Sequence, residues 1–190
     1  MPLISYELSN RFKQLTFAEI GFLKLLAGLM PKGATWINIG AGHGTSALAV
    51  LEARPDMKIT TVDNRMEHSS GSLMGEKNSL HDWVELGAFD YPKQILGDSA
   101  EVGRNWNDLA NAVFIDADHS FDGCMGDWMS WRPRIAKGGI VMFHDYKSVY
   151  GPGVLATVEY VEKETDLIDC VDSLIAFRTR DNKIIGGRNA

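Results

Sequence analysis

The sequence predicts an α/β domain built on a mostly parallel sheet with helices on both faces, and three features carry that prediction. Short apolar, β-branched runs alternate with helical periodicity from about residue 35 onward. Several of those runs end abruptly in carboxylates. The first is followed by a turn with glycine at every second position, Gly40-Ala41-Gly42-His43-Gly44. Strands alternating with helices over short spans need crossover connections, which leave neighbouring strands parallel and place helices on the faces of the sheet.

With 190 residues, 45% of them hydrophobic, the chain is long enough for one well-buried domain and short for two. The expected organisation is a single domain over 1–190, with a helical cover over 1–30 and the α/β core over 35–179. The net charge of -6 and a pI near 5.3 leave no basic field to hold a polyanion, so a nucleic-acid partner is disfavoured. The two cysteines, Cys124 and Cys170, lie far apart without metal-ligand or disulfide spacing, which fits a reducing compartment. The start of the chain lacks a basic segment followed by an apolar run, and no stretch approaches the length of a membrane span. The expectation is a soluble, cytoplasmic protein that makes no membrane contact.

Residues before Arg11 read as a mobile arm or a lid. Phe17, Ile20, Leu23, Leu26 or Ala27, and Met30 then recur at helical spacing, with Thr16 and Glu19 forming a capping box and Pro31-Lys-Gly33 ending the helix. That helix reads as a cover and is assigned no chemistry. Trp36 to Ile39 is a short strand, and the glycine turn after it feeds a helix of small residues from Thr45 to Ala53. Glycine at alternate positions permits a tight turn without Cβ atoms to hold a ligand away, and the helix start presents free N–H groups. The competing reading is an ordinary strand-to-helix turn.

Lys58 to Asp63 is the second strand, and it completes a βαβ unit. Asp63 lies 23 residues beyond Gly40, where dinucleotide folds place an acid on ribose hydroxyls; otherwise it is a solvated strand-end aspartate. The span from Arg65 to Phe89 reads as a helix with irregular ends or a substrate lid more readily than as a linker, with Trp83 and Phe89 facing either a ligand or the core. Gln94-Ile-Leu leads into Gly97-Asp98-Ser99 as a third strand, followed by a helix from Ser99 to Leu109.

Ala112-Val-Phe-Ile115 is an apolar run buried on both faces, and it ends in Asp116-Ala-Asp118-His119-Ser120. Carboxylates and an imidazole gathered at a ligand-binding edge need a cation, a proton or a substrate hydroxyl as partner. A helix is expected from Phe121 to Ala136, then a turn at Lys137-Gly138-Gly139, then a buried strand from Ile140 ending in His144-Asp145-Tyr146. Gly151-Pro-Gly153-Val154 opens a helix to about Lys163. Asp166–Val171 and Leu174–Thr179 form a terminal hairpin.

In this order the motifs resemble the class I S-adenosylmethionine-dependent methyltransferases, and more narrowly the small-molecule O-methyltransferase branch that includes macrocin and cephalosporin-hydroxylase-like families. They are Ile39-Gly-Ala-Gly-His-Gly44, Val62-Asp63, Gly97-Asp-Ser99, Phe114-Ile-Asp-Ala-Asp-His-Ser120, Gly138-Gly139 and Phe143-His-Asp145, within Thr35 to Thr179. The resemblance implies a Rossmann-like seven-stranded fold with an antiparallel C-terminal hairpin. It implies that Gly40, Ala41 and Gly42 pass under the methionine end of S-adenosylmethionine, that Asp63 with Asn64 holds the ribose, and that Asp98 with Ser99 meets the adenine. Asp116 would lie near the sulfonium. It also implies a magnesium or manganese ion on Asp116 and Asp145 with His144 adjacent. Magnesium would favour the carboxylates, and manganese could accept the imidazole.

Catechol-type relatives carry a lysine base where this chain has His119, a departure that puts a catechol acceptor in doubt. The histidine is either a general base taking the acceptor's hydroxyl proton or a structural residue bonded to the next loop. Asp116 and His119 are thus the candidate catalytic pair, acting on a small-molecule acceptor. Sugar, phenol and peptide hydroxyls remain open, as does a homodimer. The rivals are an NAD-dependent oxidoreductase, which would use the same glycine turn and Asp63, and a non-catalytic S-adenosylmethionine-binding subunit.

Overall fold

A computed structural model describes residues 4–64 and 92–180. In chain order the elements are α1 (Ile4–Phe12), α2 (Phe17–Gly28), β1 (Thr35–Ile39), α3 (Thr45–Ala53), β2 (Lys58–Asp63), β3 (Lys93–Leu96), α4 (Ser99–Asn105), β4 (Ala110–Ile115), α5 (Phe121–Trp131), β5 (Ile135–Phe143), α6 (Pro152–Val161), β6 (Thr165–Val171) and β7 (Leu174–Thr179). The seven strands form one sheet in the order β3-β2-β1-β4-β5-β7-β6. The first five strands are parallel, and β7 runs antiparallel between β5 and β6. The expected Rossmann-like sheet with a C-terminal hairpin is what the chain forms. The expected lid and its aromatic residues Trp83 and Phe89, in the span 65–89, lie outside the described residues.

Alternation along the central strands builds two cores. Trp36, Ala112, Phe114, Ile140 and Met142 face one side with α2 and α3, while Ile37, Val113, Ile115, Val141 and Phe143 face the other with α5 and α6. Successive side chains on a strand point to opposite faces, so runs that are apolar at every position belong to a sheet covered on both sides. Strand order reverses between β1 and β4. Ligands in open parallel sheets bind in the crevice beyond the carboxyl ends of strands at such a point.

Four local expectations are corrected. Residues 4–12 are a helix rather than an arm or lid: Ser5, Leu8 and Ser9 are buried, and Glu52 of α3 accepts from Ser5 N at 2.8 Å and Ser5 Oγ at 2.6 Å. The helix α4 stops at Asn105, short of Leu109, because Trp106 turns extended and packs its ring 5.5 Å from Trp131. Pro133 lacks an N–H, so α5 passes at Arg132 into a 3₁₀ turn instead of reaching Ala136. The Lys137-Gly-Gly139 segment is a bulge inside β5, which pairs from Ile135 and shifts register between Ala110 and Ala112. In addition, Phe17 at the start of α2 is 48% exposed, outside the apolar face its spacing implied.

Asp127 of α5 is buried and accepts a hydrogen bond from Ser99 Oγ. Burial pushes its carboxyl up to about 6, with the Ser99 hydroxyl opposing and the charges of Asp98 and Asp118 adding. A carboxyl raised on folding leaves stability intact at low pH and costs stability as pH rises, fully so above its folded pKa. Asp127→Asn keeps an acceptor for Ser99 and is expected to stabilise the protein at pH 8 by about 1–3 kcal/mol, one pKa unit being about 1.4 kcal/mol. The gain should shrink toward zero near pH 4. Urea unfolding at the two pH values checks this, and a loss of stability at pH 8 would contradict it.

Candidate functional site

The glycine turn at the end of β1 is shaped by two close approaches. Gly40 has φ +83°, and a Cβ there would lie 2.0 Å from the Asp116 carbonyl oxygen, so no larger residue fits where the turn meets the loop after β4. Ala41 N donates to Asp63 Oδ2 at 2.8 Å, which fixes the carboxylate at the end of β2 against the turn. Gln14, from the linker between α1 and α2, lies against Gly42 and accepts from His43 N at 3.3 Å.

The second part of the site gathers where β4 and β5 end. His144 is 5% exposed; its Nδ1 lies 3.2 Å from Asp116 Oδ1 and 3.5 Å from Asp145 Oδ2, and its Nε2 lies 3.4 Å from Glu19 Oε2. His119 Nε2 is 3.5 Å from Asp116 Oδ1 and 3.4 Å from Asp145 Oδ2. Burial would lower the His144 pKa, but the carboxylates around it, Asp116 foremost, raise it to about 12. His119 is also raised, chiefly by its hydrogen bond to Asp116. Burial opposes ionisation of Glu19, yet His144, the Thr16 N–H and Ser173 hold its carboxyl at about 2. The carboxylates thus favour the charged form of both imidazoles.

Close packing sets these distances. Gly153, at the start of α6, stands so near the turn before α5 that a Cβ would lie 2.2 Å from Phe121 N and 2.5 Å from the His119 carbonyl oxygen. That contact presses the loop carrying Asp145 onto the loop carrying His119. Asp145 itself has φ +57°, an uncommon left-handed conformation for a residue with a side chain.

One donor atom from each of Asp116, His144 and Asp145 falls within 4.8 Å of the others, close enough for a single ion. Two carboxylates and an imidazole whose far nitrogen meets another carboxylate form a donor set that fits a divalent cation. Beside it is a cavity of about 430 Å³, with Asn10, Lys13 and Gln14 on one side and Glu19, His144 and Asp145 on the other.

The predicted site residues therefore form two groups that touch. Gly40, Ala41, Gly42 and Asp63 make the turn, with the exposed Asn64 next along the chain, and Asp116, His119, His144 and Asp145 converge beside it. Asp98 and Ser99 stand apart, beyond the end of β3. The Asp98 carboxylate caps α4 by accepting from Glu101 N at 2.7 Å, and the Ser99 hydroxyl is committed to Asp127. Glu19 joins the second group unannounced, because a glutamate in a capping box explains itself locally. Gln14 and Ser173 carry no signal in the sequence at all.

The fold and this edge define the class of protein. A family model described as "Methyltransferase domain" matches residues 37–146, more than half of the chain, and the protein belongs to that family. Membership favours methyl transfer over hydride transfer. No curated protein matches the sequence. Among solved structures the chain resembles cofactor-bound Rv0187 from MTB, with 16% identity, a TM-score of 0.72, and 96% of this chain and 91% of that one covered. It resembles a Staphylococcus aureus protein assigned as a caffeoyl-CoA O-methyltransferase, with 14% identity, a TM-score of 0.71, and 95% and 92% covered. S-adenosylhomocysteine-bound PaMTH1 of Podospora anserina follows the same course, with 18% identity, a TM-score of 0.70, and 94% and 88% covered. At these identities the likeness is one of fold. No helix among the described residues is long and apolar enough to cross a membrane.

Gly153→Ala forces a Cβ against backbone, and overpacking of that kind typically costs about 1–3 kcal/mol. A loss of that size in urea unfolding is the expected result, and an unchanged midpoint would show that the two loops are not pressed together.

Proposed function

We propose that the protein transfers the methyl group of S-adenosylmethionine to a hydroxyl of a small molecule, assisted by a divalent cation. The observation that carries this reading is the convergence of Asp116, His119, His144 and Asp145 beside the glycine turn, in a chain of a methyltransferase family.

Gly40, Ala41 and Gly42 would accommodate the amino-acid end of the cofactor, and Asp63 with Asn64 its ribose. Asp98 and Ser99 lie at the end of β3 on the same sheet edge, where the adenine would extend. Asp116, His144 and Asp145 would hold magnesium or manganese; when bound, such an ion lowers the pKa of an acceptor hydroxyl. The cavity between the α1–α2 linker and Asp145 is the place for the acceptor. His119 is the group to receive the hydroxyl proton. Its raised affinity for protons comes from Asp116 and Asp145, the same carboxylates whose charge a bound cation would offset. The acceptor oxygen forms a bond to the methyl carbon as the carbon–sulfur bond breaks, leaving S-adenosylhomocysteine. The side chains have to align the three atoms and take up one proton.

Calorimetry of S-adenosylhomocysteine binding, with and without Mn²⁺, tests this. The parent should bind with micromolar affinity, on the order of −8 kcal/mol. Asp63→Ala should weaken that binding by tenfold or more, and Asp116→Ala should lose the heat of Mn²⁺ binding. A parent that shows no binding of S-adenosylhomocysteine at several temperatures sinks the methyltransferase reading; one that binds it but takes up no Mn²⁺ sinks only the metal assistance.

A further inference from the structure

Glu19 is a buried carboxylate placed where a helix cap alone would not need one. A capping box is served as well by glutamine as by glutamate, and by one side-chain oxygen. Here both oxygens are engaged: Oε2 accepts from Thr16 N at 2.7 Å, and Oε1 accepts from Ser173 N at 3.0 Å and Ser173 Oγ at 2.7 Å. The side chain is 1% exposed and its Oε2 lies 3.4 Å from His144 Nε2. Burying a charge is expensive unless it is paired and hydrogen-bonded, and the partner beyond the cap is the imidazole. Glu19 and Ser173 both lie outside the residues 37–146 that match the family model.

We infer that Glu19 is a positioning residue for His144: it accepts from Nε2–H and so turns Nδ1 toward the position between Asp116 and Asp145, where a divalent cation would sit in place of the Nδ1 proton. This rests on the metal-assisted reading above. An imidazole is free to rotate about its ring torsion, and the nitrogen it offers a ligand is decided by the hydrogen bond the other one makes. Ser173 holds the carboxylate in turn, its Oγ standing 3.4 Å from the same Nε2. The binding site thereby takes one of its supports from the start of α2 and another from the turn between β6 and β7.

The test is Mn²⁺ binding by calorimetry to the parent, Glu19→Ala, Thr16→Ala and Ser173→Ala, with S-adenosylhomocysteine binding and thermal unfolding measured on the same samples. Thr16→Ala removes the hydroxyl that caps Glu19 N but leaves Glu19 beside His144, so a merely structural role predicts the same metal affinity in Thr16→Ala and Glu19→Ala. The positioning role predicts a 10–100-fold loss of Mn²⁺ affinity in Glu19→Ala and not in Thr16→Ala, with S-adenosylhomocysteine affinity unchanged within about twofold. Unaltered Mn²⁺ affinity in folded Glu19→Ala, or an equal loss in Thr16→Ala, overturns the inference and leaves the proposed function standing. If Glu19→Ala does not fold, Ser173→Ala decides, with a several-fold loss expected and no loss overturning it. A parent that binds S-adenosylhomocysteine but not Mn²⁺ overturns the inference together with metal assistance; a parent that binds neither overturns the methyltransferase reading itself.

Discussion

The parallel hydrogen-bond ladder runs one residue past the ends of the strands, and the whole edge depends on it. Gly40 N donates to Val62 O at 2.9 Å, Asp116 N to Ile39 O at 2.9 Å, His144 N to Ile115 O at 3.1 Å and Gly97 N to Asp63 O at 3.0 Å. The first residue of each departing loop is thus still held in sheet register, even though the loops themselves diverge. That is why Asp116 and His144, far apart in sequence, arrive side by side, and why the Asp116 carbonyl lands on Gly40. A backbone bond of this kind contributes only about 1 kcal/mol net, but it fixes position where side-chain contacts alone would leave slack.

Charge on that edge is arranged as one unit. Asp116, Asp145 and Glu19 surround His144, and Asp116 and Asp145 are shared with His119. Removing either buried member, Glu19 or His144, leaves the other buried with the wrong balance, which costs more than the lost contact. The same arrangement suits exchange of a proton for a cation: the two carboxylates that now attract imidazole protons are the ones that would ligate a metal, and a metal would lessen the need for those protons. Charge balance alone does not say which nitrogen faces inward, and Glu19 supplies that information.

Much of the fold was legible because the residues announce it locally. Apolar runs ending in Asp63, Asp116 and His144-Asp145 read as buried parallel strands, and the glycine turn places the start of α3 within a residue or so. Where tertiary packing decides, the sequence misled. Residues 4–12 have an amphipathic pattern too short to separate a docked helix from a mobile arm, and what holds them comes from neighbouring elements: Glu52 on Ser5, Lys24 and Phe17 on the Tyr6 ring, and the Leu15 carbonyl on Ser9. The Lys137-Gly-Gly139 segment carries the residues of a turn and is a bulge because β4 continues beside it. Glu19 was found as a helix cap, and its second role depends on Ser173, which lies 154 positions further along the chain. Pairwise geometry over that separation leaves no periodic trace.

The N-terminal helices are bound to the core by polar contacts as well as by burial, and this bears on how the site is held. Glu52 of α3 accepts from Ser5 and from Lys24 Nζ, the latter at 2.6 Å, so α1 and α2 are tied to one carboxylate on the helix that follows the glycine turn. Thr16 Oγ1 donates to Asp172 at 2.6 Å, and Gln14 meets His43 in the glycine turn itself. The linker between α1 and α2 therefore touches the proposed cofactor turn at Gln14 and the proposed metal support at Glu19, only five residues apart. A displacement of α2 would move both contacts together. The N-terminal segment, lying outside the family-matched region, lines the cavity in which an acceptor would meet cofactor and metal under the proposed function.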